Sequence, residues 1–393
     1  MRDAAAATPQ SPPNDRRKRI FITAAEASGD QHAGELVRSL KQLDPTLEIE
    51  GLGGSKMAAA GVKLLEETVG KAAMGWRGAL RALEASRWME LVSRRYRESR
   101  PDLHICVDSS AINLPFARQA KEKFGVPVLY YIAPQLWASR EGRMAQMREF
   151  VDHVACIFPF EEAYFRSHGV PATFVGHPLF DELPVDRASR AGVGPRFPHA
   201  APVIGIIPGS RRSEVEANLP HLIEVMDGIR REFSTATFLV PTTSASNSPV
   251  QELVRGRADV TVKQDGFDDL VPRCDLVITK SGTSTVHVAA WRMPMIVVYR
   301  INPLLWELVG RWVVRTRKIA MVNILAGQID LVPEFIPWYG SNQPVTECAL
   351  EFLRHPERLA AQREKLDALM APIDRPGASA NAAKLALSLM TAP

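Results

Sequence analysis

The chain has 393 residues, enough for two or three domains, and its 46% hydrophobic and 23% charged content is that of a globular protein. That balance excludes collagen, coiled coil and disorder as descriptions of the whole chain. Forty-eight basic against 44 acidic residues leave a formal charge of +4, too little to argue nucleic-acid binding but suited to an anionic ligand or surface where charges cluster.

Residues 1–18 have no apolar core of the signal-peptide kind and read as a disordered basic arm. Short apolar runs then alternate with helical patterns, the signature of parallel α/β units. The first series is Ile20–Ala25, Leu47–Gly51, Leu103–Asp108, Val126–Ile132, Val151–Pro159 and Thr173–Val175, within a first domain over 19–181. Residues 182–201 carry Pro, Gly and Arg without a period and read as a linker. The second series, Val203–Ile207, Thr237–Val240, Val260–Val262, Leu276–Thr279 and Met295–Val298, belongs to a second domain over 202–345, followed by a helical tail over 346–393. The expected fold is α/β: two doubly wound parallel-sheet halves facing across a cleft. Cys106, Cys156, Cys274 and Cys348 form no CxxC pair, so neither disulfides nor a zinc site is expected. The nine histidines show no HxH or HExxH spacing, and no metal or cofactor is expected. No run of about 18 apolar residues is present to span a membrane.

In doubly wound sheets, ligands sit beyond the carboxyl ends of the strands. Four strand ends carry chemistry. The first strand is followed by Glu26, Ser28, Gly29, Asp30 and His32 at the start of a helix, where free N–H groups suit an oxygen-rich ligand, although Ser28 or Asp30 serves equally as a helix cap. Asp108 ends the strand LHICVD and is either a general base or a cap for the helix near Asn113. In the second half, Pro208, Gly209, Ser210 and Arg211, with Glu214 in the following helix, combine a tight turn, a helix N-terminus and a guanidinium, which suits a diphosphate. A capping arrangement of Ser210 with Glu214 uses the same residues. Lys280, Ser281, Gly282, Thr283 and Ser284 form a second anion cradle facing the first. Two stretches suit a membrane interface: Trp76–Arg100, with Trp76, Leu80, Leu83 and Trp88 among seven arginines, and Leu304–Val314, with Trp306 and Trp312 before further basic residues. Their structural alternative is a core helix with solvated arginines.

The ordered set EASGD, GLGG-x-x-M-x-x-x-G (Gly51–Gly61), Met74-Gly75, PQLWA with Arg140, FPFE (Phe158–Glu161), FVGHPL (Phe174–Leu179), PGSR-x-x-E, SGT and NILAG (Asn323–Gly327) resembles the lipid A disaccharide synthase family over about residues 19–340. The resemblance implies the GT-B fold and an inverting, metal-free glycosyltransferase. It implies a UDP-activated 2,3-diacylglucosamine donor, a 2,3-diacylglucosamine 1-phosphate acceptor, a β-1,6 product and release of UDP. It implies work at the inner face of the cytoplasmic membrane as a peripheral protein, and a homodimer is compatible with it. Arg211 is then expected on the UDP diphosphate, with Ser281, Gly282 and Thr283 in the same pocket and Asn323 nearby; the EASGD loop and Asn113 face the acceptor.

Two positions depart from the family. Its strand-end segment has an aspartate, a second one three positions on, and an asparagine two further; here these are Asp108, Ala111 and Asn113. A glutamate expected after SGT to contact the donor ribose is His287. With Ala111 in place of an acid, Asp108 or Asp30 is the expected base. Two alternatives follow: a non-catalytic relative that binds UDP or glycolipid, or another GT-B enzyme of UDP-sugars, such as a UDP-N-acetylglucosamine 2-epimerase.

Overall fold

The computed structural model of the chain describes residues 17–69, 78–139, 141–184, 201–300 and 318–390. The first domain holds a seven-stranded parallel sheet in the order β3-β2-β1-β4-β5-β6-β7. Its strands are β1 Arg19–Thr23, β2 Glu48–Gly53, β3 Lys63–Glu67, β4 Leu103–Val107, β5 Val128–Tyr131, β6 His153–Cys156 and β7 Ala172–Phe174. The second domain holds a six-stranded parallel sheet in the order β10-β9-β8-β11-β12-β13. Its strands are β8 Val203–Ile207, β9 Thr237–Thr242, β10 Val260–Gln264, β11 Leu276–Lys280, β12 Met295–Arg300 and β13 Glu334–Trp338.

In each sheet the strand order reverses once, between β1 and β4 and between β8 and β11. The crevice outside a parallel sheet opens at that switch point. The loops after β1 and β4 therefore flank one crevice and those after β8 and β11 flank the other. These are the four strand ends that the motifs occupy.

Central strands are apolar on both faces because helices cover both. All five residues of β4 are buried, as are four of the five of β11. Helix Arg212–Glu232 lays Val215, Leu219, Leu222, Met226 and Ile229 on the second sheet at helical spacing. Helix Gly78–Glu98 does the same on the first with Trp88, Val92 and Tyr96, which pack against Phe21 and Cys106. For Trp88 the core-helix alternative therefore holds: it is a core side chain. Two arginines of this helix are solvated partners of acids on neighbouring strands, Arg95 gripping Glu50 with two hydrogen bonds (2.5 and 2.7 Å) and Arg87 reaching Glu66 at 3.1 Å. Trp76, Trp306, Trp312 and the side chains of Leu80 and Leu83 lie outside the described residues. No helix among the described residues is long and apolar enough to cross a membrane.

The C-terminal stretch does not form a unit of its own. Helices Gln343–Arg354 and Pro356–Met370 pack on the second domain. Helix Ala378–Leu389 returns to the first, burying Ala382, Ala383 and Ala386 among Ile20, Leu36 and Leu40. Its alanines allow the close approach, and Asp181 of the first domain caps it by accepting from the N–H groups of Gly377, Ala378 and Ser379 at 2.5, 3.1 and 2.9 Å.

Candidate functional site

In the first domain, the β4 end is the strained point. Asp108 and Ser109 both have left-handed backbones (φ +57° and +30°), an arrangement that costs non-glycine residues of order 1–3 kcal/mol each. Asn113 holds it. Fully buried, its amide nitrogen donates to the carbonyls of Val107 and Asp108 at 2.8 and 2.9 Å, and its oxygen accepts from the Thr23 hydroxyl at 2.7 Å. Tyr130 also donates to the Asp108 carbonyl, at 2.7 Å. Because Thr23 donates to Asn113, it accepts from His104 Nε2 (3.0 Å), and the other ring nitrogen of His104 accepts from Tyr96 (2.8 Å). Burial holds this imidazole neutral, pushing its pKa down to about 3. The chain of bonds fixes the Asp108 carboxylate at the cleft, half-buried, where it accepts from Ser28 Oγ at 3.3 Å and from the Ser109 N–H at 2.7 Å.

Two expected site residues turn away from the cleft. Asp30 is buried, and its two oxygens accept from the N–H groups of Gly54, Met57 and Lys56 at 2.8, 3.1 and 3.0 Å. It caps helix Ser55–Ala59 and has no oxygen directed at an acceptor. Gly54 is required there, since a Cβ would lie 2.6 Å from Asp30 Oδ2. Asn113 likewise faces inward and bears on the cleft only through its bonds to the Asp108 turn.

In the second domain, the PGSR turn is both a turn and a cap. Gly209 has φ +137°, and a Cβ on it would meet that of Glu214 at 2.5 Å. Glu214 does not face a ligand. Its Oε2 accepts from the N–H groups of Ser210 and Arg211 at 3.0 and 3.4 Å, and its Oε1 binds Lys280 Nζ at 3.1 Å. Burial alone would raise the Glu214 pKa; the Lys280 charge and hydrogen bond, with those two amides, outweigh it and hold the carboxyl below its usual value. The Ser210 and Arg211 amides are thus spent on Glu214, and the anion-binding power of the turn resides in the Arg211 guanidinium. That side chain is 71% exposed and reaches to 3.9 Å from Glu26 of the first domain. Across the switch point, Gly282 and Thr283 are exposed and Ser281 is nearly buried at the start of helix Ser284–Ala290.

Asn323 is corrected as well. It is fully buried, with its amide donating to Val332 O and Glu334 Oε2 (2.9 and 3.1 Å) and its oxygen accepting from Val332 N (2.9 Å). It braces the chain before β13 and presents no free atom to a ligand.

His287 has Nε2 on Asp268 Oδ1 at 2.7 Å, an atom that Trp291 also engages at 2.7 Å, and its ring stacks on Phe267 at 3.9 Å. Opposite stands His32, with Nδ1 3.8 Å from Glu182, which Gln31 anchors at 2.9 Å. Burial pushes the pKa of His177, in the FVGHPL segment, down to about 3. Beneath it, Glu161 is buried and accepts from Trp137, Phe158 and Ile157; burial pushes its pKa up to about 7.

The sequence reading named Lys280, His32 and His287 but neither the Lys280–Glu214 pair nor the grouping of the histidines with His177, and it passed over Thr243. The pair and Thr243 each had a signal: Lys280 directly precedes SGT at a strand end, and Thr243 opens the hydroxyl-rich run after β9, where it donates to Ser210 O at 2.9 Å.

Comparison with known proteins decides the family. The model of the lipid-A-disaccharide synthetase family matches residues 20–387. The chain belongs to that family. The synthase of Geobacter sulfurreducens is 37% identical over 328 residues, covering 81% of this chain and 83% of its own. That of Trichlorobacter lovleyi is 34% identical over 380 residues, covering 95% and 98%. The crystal structure of CalG4, the calicheamicin glycosyltransferase, superposes with a TM-score of 0.60 at 12% identity, covering 96% of this chain and all of the other. At that identity it speaks for the fold: this synthetase-family chain has the two-domain GT-B glycosyltransferase architecture.

Proposed function

We propose that this member of the lipid-A-disaccharide synthetase family joins two acylated glucosamines, taking one from its UDP derivative and adding it to a 2,3-diacylglucosamine 1-phosphate with release of UDP. The observation that carries the reading is the approach of Arg211 to Glu26 across the cleft at 3.9 Å. It sets an anion-binding group of one domain beside the loop whose Ser28 holds Asp108 in the other.

In this reading a diphosphate displaces Glu26 from Arg211, and the guanidinium stabilises the charge that gathers on UDP as the sugar–oxygen bond breaks, the kind of interaction that usually dominates such catalysis. Asp108 takes the proton from the acceptor hydroxyl as that oxygen attacks the anomeric carbon. It is the acid at the end of β4, it keeps an oxygen toward the cleft, and its strained turn is the sort of geometry found at working sites. Asp30, Asn113, Glu214 and Asn323 hold the loops in shape. His287, anchored by Asp268 and Phe267, offers Nδ1 as its remaining hydrogen-bonding nitrogen to the donor. Action at a membrane surface follows from the acylated substrates, and the inner face is the side that the family resemblance implies.

The test is UDP release from purified protein given both acylated sugars. Asp108→Asn should lower turnover at least 100-fold, the scale of a lost general base, with UDP affinity near normal. Arg211→Ala should weaken UDP binding about ten- to 100-fold by calorimetry, the loss of a charge-assisted contact. No UDP release with the two substrates together would sink the proposal.

A further inference from the structure

A groove of about 380 Å³ opens beside the Asp108 turn and lies between helices Ser110–Phe124 and Met144–Phe150. Its upper end is at Ser110, two residues past Asp108 and therefore at the level of the cleft. From there it follows the helix to Arg118, eight residues or about 12 Å along the axis. Its floor is apolar: Leu114 and Phe150 are buried, and Pro115 lies beside them. Ala111 stands at the rim, where its single methyl leaves the entrance wide.

The charged groups of the groove, Arg118 and Arg143, have one sign. Arg143 donates to Ser110 Oγ at 2.6 Å and pairs with no carboxylate among the described residues. Arg118 lies over the Phe150 ring at 5.7 Å and binds Glu122, outside the lining, at 2.8 Å. No acidic side chain lines the groove among the described residues. The Ser110–Phe124 helix adds the positive end of its dipole at the same rim. An anion at the top with hydrocarbon below is the chemistry such a lining recognises.

We propose that this groove binds the acceptor, with Arg143 on its phosphate and one hydrocarbon chain along Leu114, Pro115 and Phe150. The inference rests on the glycosyltransferase reading and adds to it a site for the second substrate. It explains how the attacking hydroxyl is held at Asp108: the phosphate and the chain are fixed within a few residues of it. Arg143 is on this view a binding residue, with no part in proton transfer.

The test uses the full chain, with an acceptor carrying the 1-phosphate, the same sugar without it, and a short-chain phosphorylated analogue. Arg143→Gln should raise KM for the phosphorylated acceptor about ten- to 100-fold, more than kcat falls, and abolish preference for it over the dephosphorylated sugar. Arg143→Lys should restore part of that preference. Ala111→Phe should raise KM for long-chain acceptors and spare the short-chain one. UDP affinity by calorimetry should stay constant throughout. Unchanged acceptor KM in Arg143→Gln and Ala111→Phe overturns the proposal, as does a parallel loss of UDP binding. If the wild-type chain binds UDP but never turns over, the glycosyltransferase reading alone fails, and co-sedimentation decides the groove. Binding to phosphatidylcholine vesicles doped with the phosphorylated acceptor, weakened by Arg143→Gln, supports it. Equal binding to vesicles doped with phosphatidylglycerol overturns it.

Discussion

Asn113→Ala tests whether the Asp108 turn is held from within. The substitution deletes three hydrogen bonds of 2.7, 2.8 and 2.9 Å at a fully buried position. At about 1 kcal/mol each they sum to about 3 kcal/mol. Leaving two carbonyls and the Thr23 hydroxyl short of partners adds to that loss. Relaxation of Asp108 from its left-handed backbone returns about 1 kcal/mol. The net destabilisation is about 3 kcal/mol, within what a domain of ordinary stability survives at 25 °C. Urea unfolding measures it, and turnover and UDP calorimetry are run on the same samples. Turnover should fall well beyond the unfolded fraction while UDP affinity holds, because the turn belongs to the first domain. Asn113→Asp, though nearly isosteric, should be at least as damaging, since it sets a carboxylate oxygen against two carbonyl oxygens. A stability loss under 1 kcal/mol in Asn113→Ala with turnover intact would mean that Asn113 does not hold the turn.

Lys280→Met takes the nearer of two cations from half-buried Glu214, leaving Arg211 at 3.6 Å, and should cost about 2 kcal/mol in urea unfolding, the loss of a charge-assisted hydrogen bond; adding Glu214→Gln should recover most of it, and a double variant no better than the single would show that the pair is not the cause. The stability profile should fall on acidification. His104 and His177 are held neutral by burial, with folded pKa values near 3 against an ordinary 6.5, so their contribution is complete above pH 6.5 and is lost as pH drops toward 3, at up to about 1.4 kcal/mol per pH unit for each. Urea midpoints at pH 7, 6 and 5 should decline less steeply in His177→Gln than in the wild type; identical slopes would contradict the assignment.

Strand ends were the legible part of the sequence, because buried parallel strands are continuous apolar runs and turn residues punctuate them. Two strands escaped. β3 (KLLEE) and β13 (EFIPW) are edge strands with most residues half exposed; the apolar run of the first is only Leu64 and Leu65, and that of the second holds Pro337, which reads against a strand. The site residues divide along another line. Arg211 and Asp108 reach the cleft because a guanidinium and a strand-end carboxylate have little internal backbone to satisfy there. Asp30, Asn113, Glu214 and Asn323 occupy the same kinds of loop and are of types that bind ligands, yet they satisfy the loops' own N–H and carbonyl groups. Helix caps and ligand sites call on the same side chains at the same junctions, and only the direction of each side chain separates them. Trp88 shows the corresponding ambiguity for apolar residues: an arginine-rich amphipathic helix looks alike whether its greasy stripe meets a core or a bilayer.

The chain passes between the domains twice, once after Leu183 and once between Met370 and Ala378, and Asp181 stitches the second passage to the start of the first. Two tethers fastened at one spot behave as a single pivot. Rocking about that point would change the spacing of Arg211 and Glu26 across the crevice, while sliding or unscrewing of one lobe against the other would be resisted. Cutting the chain before Gly377 would release one tether and, with it, loosen the helix whose alanines cover Ile20, Leu36 and Leu40 of the first lobe.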